Sequence, residues 1–160
     1  DMFAFKHLLF TIVGFVMTEE TTLVFSFGDG VYAVNGDVSV IPTFPGNEPP
    51  YITFRFARAD IDEKLLKFEV RALLPTAEVT SILVGSDGVA DFIQACDSPM
   101  PVSGKPLGAL CEFWDNPKYV DNPDAIRRRL ALANREHVED GLVKGGLLHD
   151  DTTLLVVRRT

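Results

Sequence analysis

The residues of this chain best suited to chemistry sit in two short acidic turns, Gly85-Ser86-Asp87-Gly88 and His149-Asp150-Asp151-Thr152. The first ends the apolar run Val79-Thr80-Ser81-Ile82-Leu83-Val84, and the second precedes Thr153-Leu154-Leu155-Val156-Val157. Carboxylates held at strand ends can converge on a hard cation such as Mg²⁺ or Mn²⁺, which prefers oxygen ligands. Asp87 also stands where a side chain would cap a helix starting at Gly88. From residues alone the metal role and the capping role are both open, and two acidic turns are by themselves only two loops. Adjacent carboxylates such as Asp150 and Asp151 repel one another, and a bound cation would offset that charge.

Other chemistries find less support. The histidines are His7, His137 and His149. His7 lies in an apolar segment and reads as packed, His137 falls near a helix C-terminus, and His149 neighbours Asp150 as a polar companion of the acidic turn. No His-Glu-x-x-His or paired-cysteine spacing points to zinc, and neither a Gly-x-Ser-x-Gly elbow nor a nucleotide-binding glycine loop is present. Arg127-Arg128-Arg129 reads as a solvated helix face, with phosphate recognition as the alternative. Cys96 and Cys111 match no metal-ligand pattern and read as free thiols in a reducing compartment, a disulfide being the other reading.

The 160 residues are enough for one domain with a real core, and 46% of them are hydrophobic. The twelve phenylalanines favour a sheet-rich interior. A formal charge of −8, with no basic stripe or tail, disfavours nonspecific binding to nucleic acid or to an anionic membrane. The longest apolar stretch, residues 8–17, is far short of the roughly 20 residues that span a bilayer. It lacks the features of a secretory leader as well, so cytoplasmic residence is the default expectation.

These turns need strands and helices to position them. Runs at 11–18 and 21–27, then 31–34 and 38–41, predict an antiparallel meander, with Gly28-Asp29-Gly30 between its second and third strands. Asn35-Gly36 marks a tight hairpin, because the favoured turn needs positive φ at both positions. Residues 42–50 read as a proline-rich loop. Alternation predicts further strands near 52–56 and 67–73, with Phe68, Val70 and Ala72 on one face, and then near 80–85 and 153–158. Helices are expected at 89–95 and 123–138. The second opens on Asn122-Pro123-Asp124 and carries an apolar stripe of Ile126, Leu130 and Ala133. Residues 97–121 read as a long ordered loop that tucks a few aromatics into the body. No internal repeat or domain boundary is visible.

The stretch Ile82-Leu83-Val84-Gly85-Ser86-Asp87-Gly88-Val89-Ala90-Asp91 resembles a signature of the metal-dependent protein Ser/Thr phosphatases of type 2C. Leu148-His149-Asp150-Asp151-Thr152-Thr153-Leu154 resembles that family's last motif, with Asp151 where the family usually has Asn. Val24-Phe25-Ser26-Phe27-Gly28-Asp29-Gly30-Val31 is similar to its central strand and Gly-Asp turn. The resemblance covers roughly residues 10–158, with the three motifs in the family's order. It implies an α+β fold, a four-layer αββα antiparallel β-sandwich flanked by helices, lacking its N-terminal strand and metal loop. Residues 1–160 would then form a single partial domain. It implies Asp87 and Asp150 as catalytic metal ligands with Asp151 as a third carboxylate, two Mg²⁺ or Mn²⁺ ions in the complete domain, and a phosphoserine or phosphothreonine protein as substrate. Hydrolysis would use metal-activated water. Asp29 takes a turn-organising role in this reading, and Asp91 a cap or an ion pair near the site. The Asp-Gly loop that would complete the metals has no counterpart here, so the chain alone is expected to be inactive. Open sheet edges would favour self-association or pairing with the missing N-terminal segment. The alternative is a noncatalytic relative that kept the sandwich as a binding or regulatory module. A third reading is an unrelated small α+β domain.

Overall fold

Period-two alternation from Ile12 onward forms strands where it was expected, but distributes them over two sheets. In the computed structural model, residues 9–44, 66–122, 124–139 and 141–159 are described, together with Phe3, Gly46, Pro49, Tyr51, Thr53 and Phe54. Strands β1 (Ile12–Met17), β2 (Thr21–Phe27) and β5 (Glu69–Pro75) form one antiparallel sheet in the order β1-β2-β5. Strands β3 (Gly30–Val34), β4 (Asp37–Ile41), β6 (Ser81–Gly85) and β9 (Leu154–Arg158) form a second, in the order β4-β3-β6-β9. The expected meander is therefore split, because β2 and β3 do not pair. Gly28-Asp29-Gly30 carries the chain from one sheet to the other, with φ of +90° at Gly28 and +143° at Gly30.

Helices α1 (Gly88–Gln94), α2 (Glu112–Asp115), α3 (Pro117–Val120) and α4 (Asp124–Ala133) lie against the second sheet. Its helix-facing side contributes Val31, Ala33 and Leu83 to a core shared with Val89, Phe92, Leu107, Phe113 and Trp114. Its other side meets the first sheet through Ile82, Val84, Tyr32 and Val34 against Val13, Phe15, Val24, Ala72 and Leu74. This is a mixed α+β architecture of antiparallel sheets with flanking helices. Helices α1 to α4 all lie on the side of the second sheet away from the first. Val16, Val70 and Leu73 are 51%, 62% and 66% exposed.

Several local expectations are corrected. The strand expected near 52–56 is instead a turn at Thr53 and helical at Phe54, whose amide donates to the Tyr51 carbonyl at 2.9 Å. Residues 52, 55 and 56 lie outside the described residues, as does His7. In β5, Phe25 pairs with Val70 but Val24 pairs with Ala72, so Arg71 is an extra residue in the ladder. This bulge switches the side-chain phase. Ala72 faces the core while Val70 faces out, and the Arg71 guanidinium bonds the Ser26 hydroxyl at 2.8 Å.

Helix α4 stops at Ala133, five residues before its expected end. Asn134 turns the chain, and its side chain accepts from the Leu148 amide at 3.1 Å. His137 is then in β7 (His137–Glu139), hairpin-paired with β8 (Leu142–Lys144), and not at a helix terminus. Residues 97–121, expected as loop, hold α2 and α3 and an isolated bridge between Pro99 and Pro106. The Asn35-Gly36 hairpin forms as expected, with φ of 53° and 87°. Among the described residues no helix is long and apolar enough to cross a membrane.

Candidate functional site

The register of β6 against β9 brings the two acidic turns together. Gly85 pairs with Leu154, which sets Ser86 opposite Thr153. The Ser86 amide donates to the Thr153 carbonyl at 2.9 Å, and the Thr153 amide returns a bond to the Ser86 hydroxyl at 3.1 Å. That hydroxyl also donates to the Asp151 carbonyl at 3.0 Å, and the Thr152 hydroxyl to the Gly88 carbonyl at 3.2 Å. Glycine at position 88 is required by this approach. A Cβ there would lie 2.8 Å from the Asp151 carbonyl oxygen and 2.8 Å from the Thr152 hydroxyl.

The carboxylates at this junction bond to the backbone. Asp87 Oδ1 accepts from the Gly88 amide at 3.1 Å, the capping role that was open from sequence. Asp150 Oδ1 accepts from the Asp151 amide at 2.7 Å. Asp91 Oδ2 accepts from the His149 amide at 3.0 Å, so His149 joins the junction through its backbone and Asp91 fastens the last loop to α1. Asp151 is exposed and takes part through its carbonyl and amide.

Asp29 belongs here too, which the sequence reading did not give it. It is buried, and it lines a cavity of about 180 Å³ with Asp87, Thr11, Pro49 and Tyr51. Burial raises its pKa from the ordinary 3.8; its own backbone amide opposes the shift, and the charges of Asp87 and Asp150 add to it. The cavity that Asp29 and Asp87 line lies at the same end of the fold as the Asp150 turn, which meets the Asp87 turn. The signal available in sequence was the glycine on each side of Asp29, which lets the chain turn tightly enough to bury an acid.

An acid whose pKa rises on folding binds its proton more tightly in the native state. Stability from Asp29 is therefore greatest below its unfolded pKa and falls as pH rises from there through the folded value. Asp29→Asn is expected to be more stable than the natural chain at neutral pH, with the difference closing below about pH 4. Urea unfolding at a series of pH values checks this, and a variant less stable at neutral pH would show that the ionised carboxylate is favoured by its surroundings.

The metal expectation is corrected at this site. Among the described residues no group of three or more His, Cys, Asp or Glu side chains is placed to hold a metal ion. Asp87, Asp150 and Asp151 thus do not assemble the Mg²⁺ or Mn²⁺ centre that the resemblance implied. The turns converge, with Asp87 and Asp150 each directing Oδ1 to an adjacent amide and Asp151 contributing its backbone. The expectation of phosphoprotein hydrolysis by metal-activated water, which rests on that centre, is corrected with it.

A second concave region lies on the other side of β9. It is a groove of about 920 Å³ between β9 and α4, floored by Leu154 and Val156 and walled by Phe113, Tyr119, Ile126 and Leu130. In comparisons with known proteins, no family model, no curated protein and no solved structure matches the chain.

Proposed function

We propose that this chain is a noncatalytic binding or regulatory module built on a phosphatase-like scaffold. The observation that carries the reading is the use of the acidic junction as a structural tie. Asp87, Asp91 and Asp150 each accept from a backbone amide of α1 or the last loop, and no metal-holding group forms among the described residues. Support for the scaffold comes from the placement of the three sequence motifs: the Ser-Asp-Gly turn ends an inner strand, meets the closing Asp-Asp-Thr turn and faces the Gly-Asp-Gly turn. In this account the phosphatase-type motifs serve to close the fold, and binding is the activity left to its surface.

Calorimetric titration with Mn²⁺ and with Mg²⁺ tests the reading. The expected result is no saturable heat attributable to the junction, so that natural chain and Asp87→Asn give the same trace. A stoichiometric isotherm that disappears in Asp87→Asn would mean that the carboxylates assemble around a cation after all.

A further inference from the structure

Among the described residues the outer edge of β9 is open, and the groove beside it is shaped to cover an added strand. Bonds at both ends of the β6–β9 ladder fix its alternation. The Ser86 amide bonds the Thr153 carbonyl, and the Arg159 amide bonds the Thr80 carbonyl, each at 2.9 Å. Odd-numbered residues of β9 therefore face β6 with their amides and carbonyls. The intervening residues Leu154, Val156 and Arg158 direct theirs away from β6, toward the open edge. None of these outward groups has a described hydrogen-bond partner. Such a row of unpaired groups is a template for another strand.

Side chains add selectivity to that template. Leu154 and Val156 point toward the helix layer, where Phe113, Tyr119, Ile126 and Leu130 line the groove. Leu155 and Val157, of opposite phase, also line it, and Leu155 is 54% exposed. An added strand would place alternate side chains against each set. Charge further restricts the occupant: Arg127 and Arg158 line the groove against the single carboxylate of Asp151, within a chain whose net charge is −8. Arg158 has no described ionic partner, and Arg127 has only an exposed pairing with Asp124 at 3.2 Å.

We infer that β9 and α4 form a docking groove for an extended peptide of a partner protein, apolar at alternate positions and carrying an acidic residue, which joins the sheet as a strand beside β9. This rests on the noncatalytic reading and names the surface through which the module would work. A second copy of the chain is disfavoured as occupant, because its own β9, Leu154–Arg158, carries no acidic residue to meet Arg127 and Arg158.

The test is selection of short random peptides, displayed on phage, against the full chain. Peptides with alternating apolar residues and an acidic position are expected to be enriched, and to protect the Leu154, Val156 and Arg158 amides from hydrogen exchange. Val156→Pro removes an outward donor and no bond to β6, so the sheet should tolerate it. It is expected to weaken the selected peptides by about tenfold or more, which corresponds to roughly 1.4 kcal/mol. Arg127→Glu, at an exposed side chain of the α4 wall, should weaken them comparably, and Val156→Thr should not. Failure to enrich any peptide, or binding unaffected by both Val156→Pro and Arg127→Glu, would overturn the inference. Protection of the same amides that rises with protein concentration without peptide would overturn it in favour of a second copy. Metal-dependent hydrolysis of an aryl phosphate by the same preparation would instead remove the noncatalytic reading, whatever the peptides do.

Discussion

Replacing Phe92 by alanine is expected to destabilise the chain by about 3–5 kcal/mol, the largest effect of any single side chain considered. Phe92 is fully buried on α1, one turn beyond the Asp87 cap, and its ring packs against Phe113 at a centroid distance of 5.2 Å. It joins Val31, Ala33 and Leu83 of the second sheet to Leu107, Phe113 and Trp114 of the segment that follows. Truncation forfeits the transfer free energy of the ring. It also leaves a cavity between a sheet and helices that cannot close together without breaking strand pairing or caps. Urea unfolding should show a lower midpoint with little change in the denaturant slope. A loss below about 1 kcal/mol would mean that the site collapses freely and that this core is not close-packed.

The second large effect is expected at Arg129, where alanine should cost about 2–4 kcal/mol. Its guanidinium pairs with Glu112 at 3.0 Å, donates to the Tyr119 hydroxyl and the Leu107 carbonyl, and lies over the Tyr119 ring at 5.6 Å. One helical side chain thus fastens three points of the 97–121 segment to α4. The side chains of Arg129 and Glu112 are 15% and 36% exposed, so solvent screens part of the ion pair. Most of the loss should come from the stranded carbonyl and hydroxyl and from lost packing. Lysine lacks the planar fork and should restore only part of it. Hydrogen exchange near Leu107 and Tyr119 should accelerate in Arg129→Ala before global unfolding. Unchanged exchange there would show that the segment is held by its aromatics alone.

Arg129 also illustrates what could be read from sequence. Ile126, Leu130 and Ala133 gave the buried face of α4, and all three pack on the helical core. Arg129 stands three residues after Ile126 and four before Ala133, on that same face. Its charge, beside two other arginines, placed it with the solvent. A buried guanidinium needs partners distant in sequence, and periodicity contains no term for those. The strands at Ile12–Met17, Thr21–Phe27, Gly30–Val34 and Ser81–Gly85 were legible because each alternates or is strongly apolar between turn residues. Which sheet each joins was not legible, since the turn at Gly28-Asp29-Gly30 serves a hairpin and a sheet-to-sheet crossing equally well.

The β7–β8 hairpin was hidden for a different reason. Val138, Leu142 and Val143 are exposed, so the burial that produces a pattern is missing, although Asp140-Gly141 is a hairpin signal. The bulge at Arg71 leaves no mark in an alternating run. At the candidate site, the meeting of the two acidic turns was legible from the strands they terminate. The destination of their carboxylate oxygens was not, because a cap and a metal ligand require the same residue at the same place.

Hydrolysis of a generic aryl phosphate by the purified chain, with and without Mn²⁺ or Mg²⁺, tests the noncatalytic account most directly. Rates indistinguishable from the protein-free solution with either ion are predicted, and Asp87→Asn and Asp150→Asn should leave them unchanged. Metal-dependent turnover abolished by either substitution would contradict the account, because it would require those carboxylates to gather around a cation.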